Sequence, residues 1–183
     1  MRKLVITQNA TLDGSIELLD DWFDPQLQDD ELLAETRRQD SAADALLLGR
    51  QTFEDFRSYW PQQSADTTGI TDYLNEVAKY VVSSTMKDPA WQHSTVIAAD
   101  PVDRIDDLKR QPGKDIVLTG SITLAHTVIA AGLVDEYRLF VYPAIQGRGR
   151  RLFPDGFAIS RLRLVESAVS FRSGISLLRY APR

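Results

Sequence analysis

Five short apolar runs, each bounded by polar or turn residues, constrain this chain more than any other feature. They fall at residues 4–6, 45–48, 80–82, 96–98 and 116–118. Short continuous runs of this kind suit strands buried on both faces, as in a mainly parallel sheet covered by helices. Helical patterns lie between them, as a strand–helix–strand alternation requires. Ile70, Tyr73, Leu74 and Val77 keep an i, i+3, i+4, i+7 stripe, and Ala125, Val128, Ile129 and Gly132 keep another. Residues 29–43 are less amphipathic, but Asp29, Asp30 and Glu31 open the segment and Arg37 and Arg38 follow, which matches the helix dipole. The last third changes character. Tyr137, Leu139 and Val141 alternate with Arg138, Phe140 and Tyr142, and two extended segments, 162–169 and 175–180, flank a hairpin-type turn at Arg172-Ser173-Gly174. The expected class is α/β, a mainly parallel central sheet with an antiparallel C-terminal strand pair.

At 183 residues, with 43% hydrophobic, the chain fits one domain spanning 1–183. The polar stretch 61–69 reads as a surface loop rather than a linker. A formal net charge of −5 argues against broad affinity for nucleic acid or anionic membrane. Arg148, Arg150 and Arg151 form the one basic cluster, suited either to solvent or to a phosphate on a substrate. The absence of cysteine excludes disulfides, thiolate metal sites and cysteine nucleophiles, and is compatible with a cytoplasmic location. His93 and His126 stand far apart, so no metal is expected. No apolar stretch approaches the ~20 residues of a membrane span, and the start runs directly into the first strand. A soluble, unprocessed, cytoplasmic protein is the expectation.

Two strand–turn–helix junctions carry the chemistry. In the first, Leu48-Gly49-Arg50-Gln51-Thr52-Phe53, a glycine permits close approach of a ligand to backbone, and helix N–H groups with Arg50 and Thr52 favour a phosphate. The second, Leu118-Thr119-Gly120-Ser121-Ile122, repeats the arrangement with Ser121 as a candidate helix cap. Each alone is equally an ordinary turn; two at carboxyl ends of strands sit where open α/β sheets bind ligands. Ser83 and Ser84, after another buried run, offer hydroxyls to a ribose or serve simply as turn residues. Neither the glycine fingerprint of the usual dinucleotide fold nor a P-loop occurs.

In order, Leu-Gly-Arg-x-Thr-Phe, Val-Ser-Ser, Leu-Thr-Gly-Ser and a late Tyr-Pro-x-x-x-Gly-x-Gly-x-x-Leu-Phe resemble the dihydrofolate reductase-like superfamily. Within it, the chain looks most like the C-terminal reductase domain of the bifunctional deaminase-reductase of riboflavin biosynthesis. The resemblance runs from Leu12-Asp13-Gly14 to the last strands and implies a three-layer fold, an NADPH cofactor and a homodimer. It also implies roles for residues. Gly49, Arg50 and Thr52 would meet the dinucleotide phosphates, Ser83 and Ser84 the adenosine ribose and 2′-phosphate, and Thr119, Gly120, Ser121 and Ile122 the pyrophosphate. Asn9 and Ile16 would hold the nicotinamide carboxamide through their backbone.

The family's dihydrofolate reductases place a carboxylate in the first helix, and here Leu33 falls nearest that position, with Asp30, Glu31 and Glu35 around it. Reduction of dihydrofolate is therefore not expected, and no catalytic residue is assigned. Trp22, Phe56 and Trp60, with Phe23 and Tyr59 nearby, are candidates to stack on a flat substrate, or are core aromatics. The expected activity is NADPH-dependent reduction of a small heterocyclic or carbonyl compound, similar to dihydrofolate reductase and to 5-amino-6-(5-phosphoribosylamino)uracil reductase. The competing expectation is a dinucleotide-binding protein of the same fold without turnover.

Overall fold

The structure, a computed structural model, describes residues 1–25, 27–159 and 161–183. Eight strands form one sheet: β1 (Leu4–Thr11), β2 (Ala43–Gly49), β3 (Ala78–Val82), β4 (Ser94–Ile97), β5 (Asp115–Thr119), β6 (Glu136–Tyr142), β7 (Leu162–Ser170) and β8 (Ser176–Pro182). Their order is β4-β3-β2-β5-β1-β6-β8-β7. The first six strands run parallel, and β8 pairs antiparallel with both β6 and β7. All five apolar runs lie on strands, although the fourth strand ends at Ile97, one residue early. The C-terminal hairpin closes as expected, with the Gly174 N–H donating to the Phe171 carbonyl at 2.9 Å.

Helices α1 (Asp30–Ser41), α2 (Arg50–Tyr59), α3 (Ile70–Glu76), α4 (Pro101–Arg110) and α5 (Ile122–Ala130) cover the two faces. On one face, Ala125, Val128 and Ile129 of α5 and Ile105 and Leu108 of α4 pack on Leu4, Ile6, Leu47, Ile116 and Leu118. On the other, Phe53 of α2 and Leu74 of α3 pack on Leu46, Leu48 and Val117, while Leu32 of α1 joins Phe140, Tyr142 and Leu177. Strand alternation explains the division: neighbours in sequence, such as Leu46 and Leu47, point to opposite helical layers. The fold is therefore three layers.

The caps fix where α1 begins. Asp29 accepts hydrogen bonds from the N–H groups of Glu31 (3.2 Å) and Leu32 (3.1 Å) and, across the molecule, from Ser173 N–H at 2.7 Å. The same carboxylate thus ties the helix start to the C-terminal hairpin, and the donors hold its pKa below the ordinary value. The stretch 61–69 contains part of a single 3-10 turn, Trp60–Gln62. Among the described residues no helix is long and apolar enough to cross a membrane.

Candidate functional site

The carboxyl ends of β1, β2 and β5 stand side by side, and β5 lies between β1 and β2 although it follows both in sequence. The connections after these strands therefore bound one crevice, the position at which open α/β sheets bind ligands. A groove of about 810 Å³ opens there, lined by Asn9, Ile16, Gly49, Arg50, Thr52, Thr119, Gly120, Ser121 and Ile122, along with residues from the loop after β1. Nine of the eleven residues read from the sequence as cofactor contacts thus share one groove. Ser83 and Ser84 do not line it.

The two glycine junctions are stitched together. The Gly49 N–H donates to Ser121 Oγ at 2.7 Å, and the Ser121 N–H donates to Thr52 Oγ1 at 2.9 Å. Ser121 therefore does not cap α5 with its side chain as the sequence suggested; its φ is +53° and its hydroxyl serves Gly49 instead. Gly49 likewise gives α2 no side-chain cap. Two helix N-termini, each with orphan N–H groups and the positive end of a dipole, consequently flank the groove. Space is tight at both glycines, and more so at Gly120. A Cβ on Gly49 would lie 3.3 Å from Ser121 Oγ, and one on Gly120, whose φ is +58°, would lie 2.8 Å from Thr52 Cγ2.

Arg50 stands exposed at the groove, its guanidinium donating to Thr85 Oγ1 at 3.0 Å, with Glu54 3.7 Å away. Ser83 is buried and accepts hydrogen bonds from the N–H groups of Thr85 (3.3 Å) and Met86 (3.0 Å), so it builds the turn that brings Thr85 to Arg50. Ser84 is exposed beside it. Among the described residues, a buried side-chain atom at the groove lacks a partner: Gln8 lines it, is 7% exposed, and its Oε1 accepts no hydrogen bond. An unsatisfied buried acceptor carries a penalty that a ligand donor would relieve.

The loop after β1 is clamped to the loop after β6. Thr11 Oγ1 and the N–H groups of Gln146 and Gly147 donate to Asp13, which drives its pKa down to about 2. Gln146 in turn donates to Ser15 Oγ at 2.7 Å. The Ile16 N–H is already committed to the Arg150 carbonyl at 3.0 Å. Two of the three clustered arginines are paired, Arg148 with Asp20 at 2.7 Å and Arg150 with Glu17 at 2.5 Å, so the cluster is no free cationic patch.

Asn9, Phe23, Phe56 and Thr119 also line a second cavity of about 230 Å³, so the groove and the cavity adjoin. Its walls are largely apolar and aromatic, with Phe56, Trp60, Leu33 and Tyr142 among them. Of the aromatic residues read from the sequence as stacking candidates, Phe56 and Trp60 line this cavity. Trp22 does not: its indole N–H donates to Gln146 Oε1 at 2.8 Å and its ring packs edge-on against Tyr142 at 5.2 Å, behind the cavity wall. Tyr59 is absent from the lining as well, stacking edge-on with Trp60 at 5.0 Å. Leu33 does line the cavity. A residue that the sequence reading missed lines it too. Asp40 stands seven positions on from Leu33, on the same helical face, and burial pushes its pKa up to about 7.

A family model for the RibD C-terminal domain matches residues 2–174. The chain belongs to that family. A curated relative, the uncharacterized protein YyaP of Bacillus subtilis, is 31% identical over 186 residues, covering 98% of this chain and 94% of its own. Among solved structures, a protein of Shewanella sp. PV-4 named for riboflavin biosynthesis superposes with a TM-score of 0.71 at 20% identity, covering 99% of both chains. A pyrimidine reductase-like protein of Corynebacterium diphtheriae gives 0.68 at 18% identity, covering 98% of this chain and 91% of its own. Dihydrofolate reductase of Enterococcus faecalis, complexed with NADP(H) and RAB-propyl, gives 0.65 at 16% identity, covering 98% and 95%. The fold is that shared by these three structures, dihydrofolate reductase among them.

Proposed function

We propose that the protein is an NADPH-dependent reductase that holds the dinucleotide in the groove and a small heterocyclic or carbonyl compound in the adjoining cavity. One observation carries this reading. Two helix N-termini without side-chain caps, each beside a glycine where a side chain would be crowded, converge on a groove that shares Asn9 and Thr119 with an adjoining apolar cavity. The residues present fit a dinucleotide: N–H groups at Arg50, Gln51 and Ile122 suit its phosphates, and the orphan Gln8 Oε1 suits an amide or hydroxyl donor. Bound, the nicotinamide would supply a hydride to the compound in the cavity. This chain's own residues orient the two partners, and Phe23 and Phe56 at the junction exclude water between them.

Preference for the 2′-phosphate rests on Arg50 and the exposed Ser84, with Ser83 supporting the turn from behind. By its family resemblance the protein would act in the cytoplasm as one domain and as a homodimer, with no nucleic-acid or membrane partner. The edge strand β7, exposed along most of its length, is the surface such a dimer would cover. Leu33 in place of a carboxylate favours the second reading, a dinucleotide-binding protein without turnover.

Thermal denaturation with NADPH and with NADH, in wild type and Arg50→Ala, tests the reading. NADPH at about 100 times its dissociation constant should stabilise the fold by ~2.7 kcal/mol. Arg50→Ala should weaken NADPH binding by ten-fold or more and NADH binding less. No stabilisation by either dinucleotide overturns the proposal, and binding without oxidation across a panel of heterocycles and carbonyls would favour the second reading.

A further inference from the structure

The cavity beside the groove contains a carboxyl group that has no partner among the described residues. Helix α1 leads directly into β2, so it runs antiparallel to the strands, and its last turn lies toward their amino ends. Leu33, Thr36 and Asp40 line the cavity from this helix at i, i+3 and i+7. Asn9 and Thr119, by contrast, mark its opening at the carboxyl ends of the sheet. At 1.5 Å of rise per residue, Asp40 sits about 10 Å farther along the helix than Leu33, toward the amino ends of the strands. The walls also include Leu46, Leu74, Val117, Ile70 and Tyr73.

No hydrogen bond or ion pair to this carboxyl forms among the described residues, and desolvation alone accounts for its raised pKa. The groups around it are otherwise engaged. On α1, the Arg37 guanidinium donates to the carbonyls of Thr67 and Thr68, Thr36 Oγ1 donates to the Leu32 carbonyl, and Glu35 pairs with Arg38. From α3 comes Tyr73, whose hydroxyl burial raises far above its ordinary pKa, with Asp40 and Asp44 adding to the shift. From β2 comes Asp44, bonded to Arg2 and to the Lys114 N–H. The strands β1, β5 and β6 present Thr7, Val117 and Phe140, and Asp24 also lines the cavity. A carboxylate here is also disfavoured by the negative end of the α1 dipole. Burial, a helix C-terminus and the lack of a hydrogen-bonding partner among the described residues all oppose its ionisation.

We propose that Asp40 anchors the ligand of this cavity, and that this ligand is a narrow, flat, largely apolar molecule about 10 Å long whose inner tip carries a basic ring nitrogen. The proposal rests on the reading above only in taking the cavity as the substrate site. It differs from a carboxylate at the Leu33 position because the shared proton lies at the far end of the ligand from the groove. The protonated carboxyl donates to the ring nitrogen, while Phe56 and Trp60 flank the ring planes. Raising the pH through the titration of Asp40 removes the donor and weakens binding.

The test uses 4-phenylpyridine and biphenyl, rods of one shape that differ by a single ring nitrogen, titrated by ligand-observed NMR without dinucleotide. Wild type should bind 4-phenylpyridine at least ten-fold more tightly than biphenyl at pH 6, with the preference shrinking by pH 8. Asp40→Leu should erase the preference without weakening biphenyl. Asp40→Asn, which retains an N–H donor, should bind 4-phenylpyridine with no change between the two pH values. Equal affinities in wild type, absence of binding by both compounds, or a preference that survives in Asp40→Leu would overturn the proposal. Because no dinucleotide is present, that failure is separate from a failure of the NADPH titration.

Discussion

The groove depends on atoms that are missing from Gly49 and Gly120. Ala at position 120 would place a Cβ 2.8 Å from Thr52 Cγ2 at a φ of +58°, where non-glycine residues pay roughly 1–2 kcal/mol. Gly120→Ala should therefore reduce NADPH affinity by at least ten-fold by calorimetry and lower stability by a similar 1–2 kcal/mol. These glycines were legible in the sequence because a strand, a glycine and a helix in succession have few structural solutions. The partners of Ser83, Ser121 and Trp22 were not, because hydroxyl and indole groups bond to whatever the tertiary fold brings near them. Asp40 was missed for the same reason: its spacing from Leu33 is visible in the sequence, but not the cavity that both residues face. Its effect on stability has a definite sign. A carboxyl whose folded pKa is raised from 3.8 to about 7 costs nothing below the unfolded value, and stability falls as pH rises between the two. At about 1.36 kcal/mol per unit the full cost above pH 7 is on the order of 4 kcal/mol. Asp40→Asn should thus be more stable than wild type in urea at pH 8, by about 2 kcal/mol after the cost of burying an amide, and the gain should vanish by pH 4.

Among the elements, β6 departs furthest from the sequence pattern. Its charged residues gave no sign of burial, yet Glu136 and Arg138 are 1% and 3% exposed. Glu136 Oε1 accepts from Arg138 Nε at 2.8 Å and from Arg179 of β8 at 2.9 and 2.7 Å, while Arg138 also reaches Asp115 of β5 at 2.9 Å. The network ties the antiparallel end of the sheet to the parallel part beneath α1. Burial alone would raise the pKa of Glu136, but the arginine hydrogen bonds and charges outweigh it and hold the carboxyl below its usual range. The stabilisation is therefore present above the ordinary glutamate pKa and is lost as pH falls through the lower, folded value. Glu136→Gln should cost about 3–5 kcal/mol in urea denaturation at pH 7, since two arginines lose their buried counter-charge. Helix α4 went unread for a related reason. Only Val102, Ile105 and Leu108 mark its apolar side among charged neighbours, a stripe too sparse to stand out.

For the whole molecule, the five buried runs and the antiparallel end were enough to indicate the α/β class. The strand order was not readable from periodicity. The insertion of β5 between β1 and β2 follows from which crossovers bury the most surface, and it is this insertion that brings residues 9, 49 and 120 to one crevice. Sequence motifs located the two glycine junctions separately; the fold joins them through Ser121 and Thr52. The central claim is that this crevice receives the dinucleotide at two helix N-termini. Amide chemical-shift mapping of the 15N-labelled protein during titration with NADPH tests it most directly. The largest shifts should fall at Gly49, Arg50, Gln51, Ser121 and Ile122, with smaller ones at Asn9 and the loop around Ile16. Shifts confined to other surfaces, or none at saturating NADPH, would contradict the account.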